Sequence, residues 1–391
     1  MADAEAMSTP SPALPAVILF TEVALAFILA VRSPLAHRIG ASIFLICLNI
    51  YGAISCTAGK PEDDYALGSS VWGPTTLSII LFTWLIPDPL HDIRYLKDPV
   101  PLDKKPILAR MWYAGCIHHN WRLIGTNVQV ANVPPPFKGT RAQYLLRRLR
   151  QICVGLVMLD ISEAYMHSHL HLYTPGVKDA YFPPGLMGFL GRGGCMAVWL
   201  VITYTVLNMS YCVLSSSAVA TCISDPADWP DLFGSLSDAY TVRRVWGRVW
   251  HQLLRRHFAR WGQLAAHAVG AQRGSFLSSQ AQIHGAFLSS AVLHSIGDLA
   301  LGHGTHYLGN SFKFFLLNGA AVTCEEAAIA LARRMGVRGP TRATYLLGYV
   351  WTAAWFTWAV RFYQEPLFVA GMGHVPTLPY SPTREVVLPF V

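Results

Sequence analysis

Long apolar runs recur from one end of the chain to the other, separated by polar connections of very unequal length. A bilayer crossing needs about 20 apolar residues, with a working range of roughly 17–25. By that measure the candidate spans are Leu14–Val31, Gly40–Cys56, Val71–Ile86, Ile152–Met166, Cys195–Ala218, Gln282–Leu301, Phe314–Ala332 and Tyr345–Phe362. The pattern predicts an all-α, polytopic membrane protein of about eight transmembrane helices, with residues 1–391 forming one multi-pass domain.

Charge in the connections supports this division. Lys and Arg accumulate in loops that stay cytosolic. Arg32 and Arg38 follow the first run, whereas Glu62, Asp63 and Asp64 follow the second. The segment 87–151 is strongly basic, the fourth connection carries only Lys178 and Arg192, and the fifth holds seven arginines from Arg243 to Arg273. Lys313 stands alone in the sixth, and Arg333, Arg334, Arg338 and Arg342 fill the seventh. The alternation puts both termini on the lumenal side, in the endoplasmic reticulum. The N-terminus is acidic and has no basic n-region, so the first run reads as a retained span.

Two basic segments are too long to be turns. Ile107–Arg122 mixes apolar and basic residues, and an interfacial or re-entrant helix is expected there because irregular backbone at membrane depth must be shielded. After Pro226 and Pro230, a second helix is expected to lie on the membrane surface. Its Trp246, Trp250, Leu253, Leu254 and Trp261 fall on one side, with arginines largely opposite. The tail 371–391, with Pro376, Pro379, Pro382 and Pro389, is expected to be extended.

Composition agrees with the hydropathy pattern: 53% of residues are hydrophobic and 13% charged, where soluble chains carry about 25% charged residues. Mean hydropathy is +0.35. The eight cysteines form no CxxC pair and mostly lie in apolar runs, where a thiol acts as a small hydrophobe. No P-loop, GxSxG elbow or dinucleotide-binding glycine pattern is present.

Candidate chemistry is concentrated in two stretches. His294 lies mid-way along an apolar span, a depth where ionisable groups are costly and usually meet a polar cavity or a partner. Asp298, one helical turn later, is placed to fix its tautomer, and Ser290 lies one turn earlier. A packing role, in which His294 bonds a neighbouring helix and Asp298 ends the span, accounts for the pair equally well. His251 falls on a helix side with Arg244, Gly247 and Arg255, away from the tryptophans. Gly247 costs roughly 1 kcal/mol in a helix interior, which points to a close approach or a break. The arginines suit the phosphates of coenzyme A, and equally a belt on anionic lipid. His118–His119, the HxHxH run His167–His169–His171 and the His303/His306 pair invite a metal reading. Their irregular spacing and opposite membrane sides argue against a di-iron centre, so no metal is expected.

The runs Trp229-Pro-Asp-Leu-Phe-Gly-Ser235 and Tyr240-Thr-Val-Arg-Arg-Val-Trp-Gly-Arg-Val-Trp-His-Gln252, with Phe287-Leu-Ser-Ser-Ala-Val-Leu-His294-Ser-Ile-Gly-Asp298, carry a specific resemblance. They are similar to the motifs of the wax-synthase-like branch of membrane-bound O-acyltransferases (MBOAT). Arg110-Met-Trp and Arg122-Leu-Ile-Gly-Thr-Asn-Val128 also resemble a family segment, although one glycine and two tryptophans of the family pattern are replaced. The family's Phe-Phe-x-x-Gln reads here Phe314-Phe-Leu-Leu-Asn318 and is followed by Glu325-Glu326. The likeness runs from about residue 106 to 362. It implies His294 as the general base and His251 as a supporting catalytic residue. Asp298, Trp246, Gly247, Trp250 and Asn318 are then orienting or supporting groups, and Arg244, Arg248 and Arg255 contact CoA.

The motif spelling, the Pro134–Pro136 run and the length resemble fungal members that acetylate terpenoid or meroterpenoid alcohols in secondary metabolism. The expected activity is direct transfer of acetyl from acetyl-CoA, a co-substrate, to a hydrophobic alcohol, with no nucleic-acid partner. A long-chain wax or sterol ester synthase is the alternative. A transporter or other non-catalytic membrane protein is a third reading.

Overall fold

The computed structural model describes residues 9–387 apart from 99, 338, 340 and 375; Arg338 and Pro389 lie outside the described residues. No strand occurs among the described residues, and an isolated antiparallel bridge joins Tyr95 to Thr126. The helices used below are α1 (Leu14–Val31), α2 (Leu35–Ser55), α3 (residues 61–85), α4 (Ile107–His119), α5 (Arg141–Ser168), α6 (Leu186–Ala220), α7 (Arg255–Ala268), α8 (Phe276–Leu301), α9 (Asn310–Arg334), α10 (Arg342–Ala359) and α11 (Arg361–Val369). Of these, α1, α2, α6 and α9 are long and apolar enough to cross a membrane by length and composition. The other expected spans fall in α3, α5, α8 and α10, the last running past Ala359 into α11, and these helices are richer in polar or aromatic residues.

The chain divides into two compact units, residues 1–131 with 253–323, and residues 132–252 with 324–391. In the first unit, Leu25, Leu29, Leu45, Ile79, Phe82, Ala114 and Ile117 form a core between α1, α2, α3 and α4. α4 runs back alongside α1: Arg32 after α1 pairs with Asp103 just before α4, while mid-α1 Glu22 meets His118 and His119 at its end. At 13 residues and 1.5 Å rise, α4 is about 20 Å long, too short to cross. The chain then turns back. Asn120 bonds the Ile124 backbone through both ends of its amide, and Asn127 bonds the backbone at Asp92 and Arg94. The buried Thr126 hydroxyl donates to the Leu123 carbonyl at 2.8 Å.

α3 carries two π turns, Gly68–Trp72 and Leu81–Leu85. At the first of them it crosses α8 glycine to glycine: a Cβ on Gly68 would lie 2.5 Å from the Cα of Gly297. Trp72 closes the crossing against Ala53, Ile296 and Ala300.

The predicted surface helix is corrected in two respects. It does not run unbroken through Trp246–Trp261: the chain is helical to Val249, Trp250 is extended (φ −65°, ψ 148°), and α7 starts only at Arg255. Nor does α7 lie free on a surface. Gly262 packs on the α8 backbone at Gln282, opposite Gly285, because small residues let two helices touch.

In the second unit α5 begins with a Thr140/Gln143 capping box and packs along α6, Gly155 against Met209. The proline-rich tail is extended only in part and is tied to α5. Glu163 accepts the Thr377 amide and Asp160 accepts the Thr383 amide and hydroxyl, before a π turn at Thr383–Val387.

The crossing sets up a direct test. Gly68→Ala pushes a methyl group into backbone and is expected to lower stability by about 1–3 kcal/mol. Gly40→Ala, with open space around it, should match or exceed wild type. Thermal unfolding in detergent reads both; an unchanged Gly68→Ala would contradict the crossing.

Candidate active site

In the first unit the apolar sequence of α8 holds His294 half-buried. Its ring stacks on Phe315 of α9, with centroids 4.6 Å apart and planes at 15°. Nδ1 faces the Tyr65 hydroxyl at 3.5 Å, the limit of hydrogen-bond reach. Tyr65 is brought there by the Gly68–Gly297 crossing, since it stands one turn before Gly68 on α3 and its ring covers Gly297.

Asp298 does not orient His294 as the one-turn spacing predicts. Its carboxylate, almost fully buried, accepts the Ser311 amide at 3.0 Å and the Ser311 hydroxyl at 2.8 Å. It fixes the start of α9 and so the position of Phe315, acting on the histidine through its stacking partner. Asn318 is fully buried and donates to the Phe314 carbonyl at 2.9 Å. Arg255 opens α7. Nearby, His257 is buried against Ser78, with Nε2 2.9 Å from the hydroxyl. Burial, with lesser contributions from His118 and Arg256, pushes its pKa down to about 3, so it anchors α7 as a neutral ring.

In the second unit, Trp246, Gly247, Arg248, Trp250 and His251 occupy one tight turn. Gln252 replaces the backbone bonds lost at the helix break: its side-chain amide donates to the carbonyls of Trp246 at 3.0 Å and Trp250 at 2.6 Å. Gly234 seats the Trp229–Ser235 run on this turn, its amide reaching the Val249 carbonyl at 2.9 Å, and a Cβ there would collide with the Arg248 carbonyl. Close approach therefore explains Gly234. Gly247 has open space around it, and its carbonyl accepts from Asn132 at 2.8 Å. The His251 ring lies beside Phe233 and Trp250, at 6.1 and 5.4 Å between centroids. Trp246 packs edge-on to Trp250 and against Phe356.

The arginines do not form the single helical cluster that their spacing suggests. Arg244 is committed to Asp238 and lies over the Tyr240 ring. Arg248 is exposed and lines a cavity of about 420 Å³ with Asn132, Pro134, Asp231, Phe233 and Ser235.

Three supporting residues carry no local sequence signal. Arg148, 1% exposed, bonds Asp231 at 2.9 Å and the Trp229 carbonyl at 2.8 Å. Glu325 accepts the amides of Val242 and Arg243 and the indole of Trp351, capping the turn that leads to His251. Tyr65 is the third. Of the other histidines, His169 stacks on Tyr165, His171 contacts Tyr181, and His303 bonds Asp64.

A profile of the membrane bound O-acyl transferase family matches residues 229–317, a stretch that takes in both histidine motifs. Acetyltransferase ple2 of Rhodocybe pseudopiperita is 28% identical over 344 residues, covering 86% of this chain and 87% of the relative. Acetyltransferase eriL of Hericium erinaceus is 26% identical over 386 residues, covering 96% of each. Acetyltransferase ataH of Aspergillus terreus is 30% identical over 261 residues, covering 63% of this chain and 86% of the relative. The chain belongs to the membrane bound O-acyl transferase family. No solved structure matches.

The Tyr65 hydroxyl faces Nδ1 of the half-buried His294, the expected general base. Tyr65→Phe is therefore expected to lower kcat by about 10-fold, roughly one hydrogen bond, without changing KM for the acyl donor. A shift confined to KM would remove Tyr65 from this role.

Proposed function

We propose that this O-acyltransferase moves an acetyl group from acetyl-CoA directly to a hydroxyl of a hydrophobic, terpenoid-type alcohol. The observation that carries the reading is His294 itself, a mid-helix histidine placed between the Tyr65 hydroxyl and the Phe315 face. The relatives' printed name, acetyltransferase, supports the short acyl group.

An alcohol with a pKa near 15 is a poor nucleophile, and a positioned imidazole takes its proton as the oxygen attacks the thioester carbon. The tetrahedral oxyanion requires a donor, a role assigned to His251 or an adjacent backbone amide. Collapse expels the CoA thiolate, which recovers the proton from the imidazolium. No covalent acyl-enzyme forms. The cavity lined by Arg248 in the second unit suits the polar end of CoA, with Arg248 as its cation and Arg244 in a supporting position. In this reading the chain is a single multi-pass domain of eight spans in the endoplasmic reticulum, with lumenal termini and cytosolic access for the thioester.

His294→Ala is expected to keep the wild-type unfolding temperature while turnover falls at least about 100-fold. Retained turnover would overturn the assignment of the base. Ligand-dependent unfolding tests the donor: acetyl-CoA at 100 times its Kd should stabilise the solubilised enzyme by about 2.7 kcal/mol. Larger stabilisation by palmitoyl-CoA would move the reading to a long-chain ester synthase.

A further inference from the structure

His118 and His119 end α4 at the point where this helix stops inside the first unit. Glu22 faces them from half-way along α1, as that helix's one charged residue. The Nε2 atoms of both histidines converge on one carboxylate oxygen, His118 at 3.2 Å and His119 at 3.1 Å from Glu22 Oε2. His118 Nε2 is also 3.3 Å from Oε1. The three ligand atoms all lie within 4.8 Å of one another.

We propose that Glu22, His118 and His119 form a binding site for a zinc-class divalent cation. Four arguments support it. The donor set, two imidazoles and one carboxylate, is one that zinc takes with a fourth position left to water. Bonds of about 2.0 Å in a tetrahedron place ligand atoms roughly 3.3 Å apart, close to the two Glu22–histidine separations of 3.2 and 3.1 Å. A carboxylate and two imidazoles at the middle of a span are expensive unless they serve each other or an ion. Finally, the site has one wall and one door: His118 is 2% exposed, whereas the His119 side chain is 62% exposed.

Neither histidine is part of the acyl-transfer machinery described above. Adjacent histidines on a continuous helix point about 100° apart, which is why the pair alone reads poorly as a ligand set. The helix ends at His119, Asn120 leaves helical geometry, and the third ligand comes from a different helix. The cation would pin the free end of α4 to α1.

The test uses full-length protein purified in detergent through a tag without histidine, stripped with chelator and titrated with Zn(II) or Co(II). Wild type should bind one equivalent, give the visible absorption of tetrahedral Co(II), and unfold at higher temperature with metal. His119→Ala, whose exposed ring leaves the packing intact, should lose that equivalent and weaken affinity by at least 10-fold. Glu22→Gln should behave alike, and His171→Ala should retain binding. Equal uptake by wild type and His119→Ala, or no uptake by wild type, would overturn the site and leave Glu22 as the hydrogen-bond partner of two histidines.

Discussion

The first unit depends on one steric constraint: two helix backbones touch where Gly68 of α3 meets Gly297 of α8. Any side chain at either position forces the helices apart. Contact at this distance puts the Tyr65 hydroxyl beside His294, and it exposes to each helix a polar backbone that apolar side chains would otherwise cover. The π turn at Gly68–Trp72 belongs to the same constraint, because an extra residue per turn rotates α3 so that Tyr65, Gly68 and Trp72 all meet α8. One turn along α8, Asp298 secures α9 through Ser311, so the Phe315 face beside the histidine is set by a hydrogen-bonded corner. The histidine is thus held from both sides by groups that themselves cannot shift.

The second unit solves a different problem, holding an irregular turn open. A helix that stops at Val249 leaves carbonyls without intrahelical partners, and these must be satisfied by other groups. Gln252 bonds two of them, Gly234 reaches a third, and Glu325 serves the amides at the start of the turn. Arg148 then locks the Trp229–Ser235 run from α5. Each of these polar side chains would be costly in an apolar protein without its partner.

Much of this could be read along the chain, and the limits have physical reasons. His294, His251 and the Trp229–Ser235 run stand out because polar and aromatic residues in an apolar chain need an explanation. The short α4 is legible as a helix in the stretch that begins at Ile107, and its 13 residues are too few to cross a bilayer. The helix break at Trp250–Leu254 is not legible, since the side chain of Gln252 does there what backbone bonds do in a helix. Asp298 is misread by helical spacing because its true partner, Ser311, is on the next helix. Tyr65, Arg148 and Glu325 act at positions distant in sequence, where no periodicity connects them to the site. Glu325 in particular looks like a departure from a family pattern, yet it caps the turn beside His251.

Tyr65 and His294 are 229 positions apart, and that separation has a consequence for biogenesis. During synthesis the first three helices are made long before α8 exists. Asn49 and Thr76 already bond one another there, but Gly68 has not yet met the α8 backbone that it packs against. Such long-range contacts pay loop-closure entropy before any packing repays it. The ribosome must pass residue 301 before the glycine crossing closes, so the histidine pocket comes into being late in translation. Until then Tyr65 and Gly68 have no α8 to pack against.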